Sequence, residues 1–297
     1  MIYEEIEGNK RRSVLIIVTF TALVLLIGYV FGRLTNWGLW GLVIALIISF
    51  FSVFVSYFYS DKMVLSMCRA TPADPLEYPH LVNSVEGLSI AAGIPVPKIY
   101  LIDDPAPNAF ATGRDPEHSV ICFTTGLVRL LNRQELEGVI GHEMSHIKNY
   151  DILVSSITVV LVGVIVLLSD WMLRHIRWSR IGGKGKGLGG WPGMVLLILA
   201  VVLALLAPLV AQLLHLAVSR KREYLADASG ALLTRYPEGL ASALEKISKD
   251  TNPLVVANKA MAHLFIVNPM LDIKGKLNDM FNTHPPTEER IRRLRAM

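Results

Sequence analysis

Two histidines four residues apart, with a glutamate after the first, stand in Gly141-His142-Glu143-Met144-Ser145-His146. Positions i and i+4 share one face of a helix, so His142 and His146 can reach one metal ion. Glu143 points partly away from the pair, where it can hold a water beside the ion. A catalytic zinc site wants three protein ligands and one open position. The best third ligand is Glu223, in Arg220-Lys221-Arg222-Glu223-Tyr224-Leu225-Ala226-Asp227. Asp227, four residues on, shares its face and can accept the second N–H of a ligand histidine. The metzincin arrangement needs glycine at 149 and histidine at 152; the chain has Asn149 and Ile152, which excludes it. The two cysteines, Cys68 and Cys122, form no CxxC pair and no zinc-ligand spacing, and read as reduced, buried thiols. The competing reading of these motifs is plain: two solvated histidines on a surface helix, and a second solvated helix where Glu223 and Asp227 balance Arg220 and Arg222.

A catalytic helix needs a start, an apolar stripe and neighbours. Asn132 with Glu135 three residues on is a capping-box start, and Leu136, Val139 and Ile140 supply the stripe. Upstream, 78–92 reads as a helix stopped by Gly93, and 98–103, 108–112 and 118–124 read as short strands. They predict a small sheet beside the H-E-x-x-H helix. Further helices are expected over 237–249 and 287–295. The class is α+β, mostly helical, with a zincin-like catalytic domain in an integral membrane protein.

The membrane reading comes from composition and apolar runs. Hydrophobic residues make up 52% of the 297 residues. Lys10-Arg11-Arg12 precedes an uncharged run, 14–32, that is about 28 Å long as a helix and able to cross a bilayer core. A cleaved signal peptide would be shorter and end in small residues, so a retained anchor is expected. A second run, 39–59, carries Trp40, Tyr57 and Tyr59 near its ends, and the two make a membrane hairpin. Basic residues before the first run and after the second place the tail and the residues after Asp61 in the cytoplasm. The basic residues gather beside apolar runs, which fits lipid headgroups and excludes a nucleic-acid partner. The resulting division is a tail at 1–13, a hairpin at 14–60, the first part of the zinc-site domain with the H-E-x-x-H helix at 61–151, a second apolar hairpin at 152–218 and the second part of that domain with the third ligand at 219–297.

His142-Glu143-Met144-Ser145-His146, Glu223-Tyr224-Leu225-Ala226-Asp227 and His284-Pro285-Pro286, with Asn108-Ala109-Phe110-Ala111-Thr112-Gly113 upstream, resemble the HtpX-type membrane zinc metalloproteases, bacterial relatives of the CAAX prenyl endopeptidases. The resemblance covers nearly the whole chain. It implies a multi-pass protease of the bacterial inner membrane with one zinc ion and a cytoplasmic active site. Its expected substrates are unfolded, misfolded or damaged membrane proteins, cleaved in stress-related quality control. It also makes His284 a candidate catalytic donor to the oxyanion, against the alternative of a helix-entry histidine beside two prolines. Asp151 either contacts a ligand histidine or only marks where the helix leaves the site. Asn108, Ala109, Phe110, Ala111 and Thr112 either form an edge strand that pairs with substrate or an ordinary strand closed by Gly113.

Topology has one open conflict. If the catalytic helix continues, His146 and Ile152 are roughly 9 Å apart. His146 and Glu223 bind one ion, so the runs 152–168 and 194–214 cross the bilayer as a pair or not at all. Resemblance and the length of the second favour crossing. The basic loop 174–186 and the short first run favour a hairpin kept inside; the balance goes to crossing. Outside this class stand a membrane scaffold with a structural metal site, a transporter, and a CAAX-type prenyl peptide processor. A scaffold site wants four ligands, and a transporter wants polar groups within its spans.

Overall fold

The computed structural model describes residues 2–34, 37–165, 219–250, 252, 254, 261–267 and 285–297. The fourth apolar run, the loop 174–190, residues 166–168 of the third run, and His284 lie outside these residues.

Helices α1 (Ile2–Leu34) and α2 (Trp40–Phe58) form the expected hairpin, and both are long and apolar enough to cross a membrane. Leu26, Phe50 and Phe51 point outward, as side chains facing lipid do. The seam between the two helices is made of small residues. A Cβ on Gly28 or Gly41 would collide with the backbone opposite, so the helices lie in backbone contact. Residues 2–13, the expected tail, form the first turns of α1. Glutamate, lysine and arginine are good helix formers, and no proline interrupts them. A helix of 33 residues is about 50 Å long. A bilayer core takes only about 30 Å of it, so the first turns stand clear of the apolar layer.

The remainder is a sheet with helices packed on it. Strands β1 (Thr71–Pro72), β2 (Lys98–Ile102), β3 (Ala109–Gly113) and β4 (Ser119–Thr124) lie in the order β1-β2-β4-β3. Strands β2 and β4 are parallel, and β1 and β3 flank them antiparallel. This puts β3 at one edge. The two-residue β1 was not foreseen, being too short to show a period. Helix α3 (Ser60–Met67) links the hairpin to the sheet, and α4 (Pro79–Ala92) stops at Gly93, whose φ of 68° is left-handed. Helices α5 (Thr125–Leu130) and α6 (Arg133–Lys148) follow. The capping box of α6 forms in full: the Asn132 side chain accepts from Glu135 N–H at 3.0 Å, and the Glu135 carboxylate accepts from Asn132 N–H at 2.9 Å. Helices α8 (Arg220–Thr234) and α9 (Pro237–Lys249) pack against α6, and α10 (Thr287–Leu294) packs on α9 and α8. Leu136, Val139, Ile140 and Met144 lock into Leu240, Leu244 and Phe123 in the core.

Helix α6 does not run on into the third apolar run. It ends at Lys148, and α7 (Asp151–Ile165) leaves at 80° to it. Tyr150 makes the turn with a left-handed φ of 60°. The 9 Å separation, which assumed a continuous helix, therefore does not describe this junction. From there α7 runs beside α1, with Val154, Ile157 and Leu161 packed on Ile16, Phe20 and Val24.

Candidate metal centre

Helix α6 supplies both histidines, and α8 lies across it. The crossing is close because glycines face each other: a Cβ on Gly141 would stand 3.1 Å from Gly230 O, and one on Gly230 would stand 2.8 Å from His142 N. Two turns before Gly230, Glu223 is thereby brought onto the histidine pair. His142 Nε2 and His146 Nε2 are 3.1 Å apart. Glu223 Oε1 is 3.6 Å from His146 Nε2, and Oε2 is 3.8 Å from His142 Nε2. The three donor atoms lie within 4.8 Å of one another. Tetrahedral zinc with bonds of about 2.0–2.1 Å puts its donors roughly 3.3 Å apart, so the spacing fits that ion.

The rest of each imidazole is spoken for. Asp227 Oδ1 lies 2.9 Å from His142 Nδ1, and Asp151 Oδ2 lies 3.0 Å from His146 Nδ1. A carboxylate only accepts, so both Nδ1 atoms carry hydrogen, and both Nε2 atoms, the positions a metal would take, face the same point. A straight helix cannot bring residue 151 under His146; the turn at Tyr150 does. Arg290 clamps Asp227 with two parallel bonds, Nε to Oδ2 at 2.9 Å and Nη2 to Oδ1 at 2.7 Å, and donates to Ile266 O at 2.8 Å. Arg222 Nη1 donates to Asp151 Oδ1 at 2.9 Å. His142, Glu223, Asp227, Arg222 and Arg290 are all buried, which disposes of the solvated-helix readings.

Four carboxylates, Glu143, Asp151, Glu223 and Asp227, share this volume with the guanidiniums of Arg222 and Arg290. The excess negative charge asks for a cation, and the titrations reflect it. Burial alone would push His146 down. The Asp151 hydrogen bond and the charges of Glu223 and Glu143 pull it up instead, to about 9. Burial raises the Glu143 carboxyl to about 7. Burial also opposes ionisation of Asp227, yet the Arg290 charge and the His142 hydrogen bond hold it at about 2.

The cleft over the ligands is lined by Glu143, Ala111, His263, Phe265 and Ile266 among others. The Glu143 carboxyl and Ala111 line the same cleft, and the Ala111 backbone weakly favours the ionised carboxylate. Of the strand residues singled out in the sequence, Ala111 faces the cleft. Asn108 spends its amide on Val267 O at 2.9 Å, Phe110 stacks edge-on against Phe265 at 5.2 Å, and Thr112 Oγ1 meets Ser156 Oγ at 2.8 Å. The backbone of Ala109, Ala111 and Gly113 points away from β4, and the ends of that edge are occupied by the chain itself. Ile266 N–H donates to Ala109 O at 3.0 Å, and Gly113 N–H donates to Ser156 Oγ at 3.2 Å.

Arg290, Arg222 and Asn9 were not anticipated. Arg290 left a trace in the sequence: it shares the buried stripe of α10 with Leu294, an arginine where a core residue belongs. Asn9 left none. His263 also lines the cleft without any motif around it.

A buried pair of histidines and a glutamate, backed by carboxylates and roofed by an edge strand, on a fold with two membrane-length helices, defines a membrane metalloprotease. The chain belongs to peptidase family M48, whose family model matches residues 75–297, and within it to the HtpX-type proteases. A "Protease HtpX homolog" of Dictyoglomus thermophilum is 49% identical over 296 residues, covering 99% of this chain and 94% of that protein. Another, of Caldanaerobacter subterraneus, is 45% identical and covers 100% of this chain and 98% of that protein. The fold is similar to the crystal structure of S. mikatae Ste24p, at TM-score 0.52 and 21% identity. That match takes in 90% of this chain, which spans 62% of the Ste24p chain.

Proposed function

We propose that this chain is a zinc endopeptidase of the bacterial inner membrane that cleaves unfolded or damaged membrane proteins on the cytoplasmic side. The observation that carries the reading is the ligand triad of His142, His146 and Glu223, with both Nδ1–H groups held by carboxylates and Glu143 beside it. Among the described residues the triad offers three ligands rather than the four of a structural zinc site, which supports catalysis over a scaffold role.

Zinc, when bound, supplies a Lewis acid that polarises a peptide carbonyl and makes water nucleophilic near neutral pH. Glu143 takes the proton of the attacking water and returns it to the leaving amine. Burial raises its carboxyl above the usual carboxylate range, which makes it a stronger base toward the attacking water. Asp227 and Asp151 fix the imidazole orientations, and Arg290 keeps Asp227 ionised for that task. Ala111 presents its outward backbone to an extended substrate, a contact that reads no side chain and so tolerates many sequences. His284, in our proposal, donates to the oxyanion; Pro285 and Pro286 beside it lead directly into α10 and Arg290.

Orientation and depth are supported by charge and packing. Lys10, Arg11 and Arg12 lie at the end of α1 that joins the centre, the end the positive-inside rule keeps in the cytoplasm. The packing of α7 along the span of α1 favours a third helix within the bilayer.

The test is metal analysis and cleavage of casein and of a misfolded membrane substrate by purified protein. One zinc per chain is expected. Glu143→Gln should keep the zinc and lose on the order of 10²–10⁴-fold in cleavage rate. His142→Ala, His146→Ala and Glu223→Ala should lose both. A Glu143→Gln protein that cleaves at the wild-type rate would end this reading.

A further inference from the structure

Asn9 sits on α1, before the apolar part of that helix begins, yet it is fully buried. Its carboxamide uses every hydrogen bond it can make. Nδ2 donates to Asp151 Oδ1 at 2.7 Å and to Asn149 O at 2.8 Å. Oδ1 accepts from Arg222 Nη1 and from Arg12 Nη1, each at 3.2 Å. Asp151 is the carboxylate on His146, and Arg222 is the residue before Glu223. One amide therefore touches the supports of two ligands carried on different helices. Lys10 adds to the junction, its ammonium 4.6 Å from the centre of the Tyr150 ring at the turn between α6 and α7.

We propose that Asn9 is a positioning residue for the metal centre, acting on His146 through Asp151, so that the first membrane helix and the ligand set form one coupled unit. Asp151 Oδ2 faces His146, while Asn9 and Arg222 share Oδ1. Without the amide, Asp151 Oδ1 keeps Arg222 as its one remaining partner among the described residues, and the His146 ring is held less firmly in its tilt. A carboxylate that supports a ligand histidine typically governs metal affinity by 10–100-fold. Asn9 acts one bond further out, so its effect belongs near the lower end of that range.

The inference rests on the zinc reading above, and its test separates the two. Zinc affinity of the full-length protein in detergent is measured by chelator competition for wild type, Asn9→Ala and the volume-preserving Asn9→Leu. Each substitution is repeated in an Asp151→Asn background. The expected result is about tenfold weaker zinc for both variants. In the Asp151→Asn background the same changes should cost less than about twofold, because the path is already cut. The cobalt-substituted spectrum should shift in the variants, since the ligand field follows the tilt of His146. Wild-type protein that binds no zinc overturns the functional reading and this one together. Wild-type binding with unaltered variants, or equal losses in both backgrounds, overturns this inference alone. If neither variant folds, hydrogen exchange on wild type decides. By reciprocity of coupling, zinc must slow exchange in residues 5–13. Exchange that is the same with and without zinc overturns the proposal.

Discussion

At the scale of residues, the centre is a set of buried charges that stabilise one another in pairs. The Asp227–Arg290 pair makes the clearest prediction. Asp227 titrates at about 2 in the folded chain, against an ordinary value near ~3.9. A depressed carboxyl stabilises the fold fully above its unfolded value and loses that contribution as pH falls through its folded one. Thermal unfolding of the metal-free protein should therefore weaken between about pH 4 and about pH 2, by on the order of 2 kcal/mol from this group. Arg290→Gln should be less stable at neutral pH and show a shallower acid slope. Equal slopes would remove the pair from the account. The ligands and Asp227 were legible because i, i+4 spacing is a local pattern. Asp151 was legible as one that either contacts a ligand histidine or only marks the helix exit, but nothing in the chain said that His146 is the ring it meets. Asn9 and Arg222 were hidden, because their contacts to Asp151 span 142 and 71 residues and leave no periodicity.

At the scale of elements, the crossing of α6 and α8 does the positioning. It depends on two glycines whose missing side chains let the helices meet. Gly230→Ala would press a methyl against the backbone nitrogen of His142. Helix backbone cannot yield as a side-chain end can, so we expect a destabilisation of about 1–3 kcal/mol and weaker zinc. An alanine variant with wild-type unfolding temperature and zinc affinity would show that the helices can separate freely. Helix ends were well marked in the chain: Asn132 with Glu135, Gly93 and Pro237 all act where they stand. The break between α6 and α7 was not. It contains neither glycine nor proline, and Tyr150 adopts its left-handed backbone because packing on α1 demands the turn.

At the scale of the whole molecule, the two membrane-length helices α1 and α2 tie the centre to the bilayer, and α7 packs along α1. The apolar run 194–214 and the loop before it bear on whether the chain crosses again. Packing of α7 on α1 adds to the case for crossing, and Gly187 should then face the outside. A single cysteine there, in a background without Cys68 and Cys122, should react with an impermeant thiol reagent on intact cells. Protection until the cells are opened would mean two spans and a hairpin kept inside. Both native thiols are buried, and burial raises Cys68 to about 12, so their removal costs no reactive group. The membrane hairpin was legible from charge-free length alone. That the first helix also reaches the metal centre was not, since a tail rich in Glu, Lys and Arg reads as solvated in any one-dimensional pattern.

The edge of β3 has a consequence for which proteins can be attacked. An unpaired strand edge is a hazard, since it templates pairing with any other exposed strand and so invites aggregation. A protease that meets unfolded chains runs that risk constantly. Here Ile266 caps the edge at Ala109 and Ser156 caps it at Gly113, and among the described residues no strand pairs with Ala111 between them. A gap one residue wide cannot nucleate a sheet. If the edge takes substrate as proposed, it admits a single extended chain whose own backbone is unpaired, and a folded protein, whose strands and helices have already satisfied theirs, has nothing to offer it.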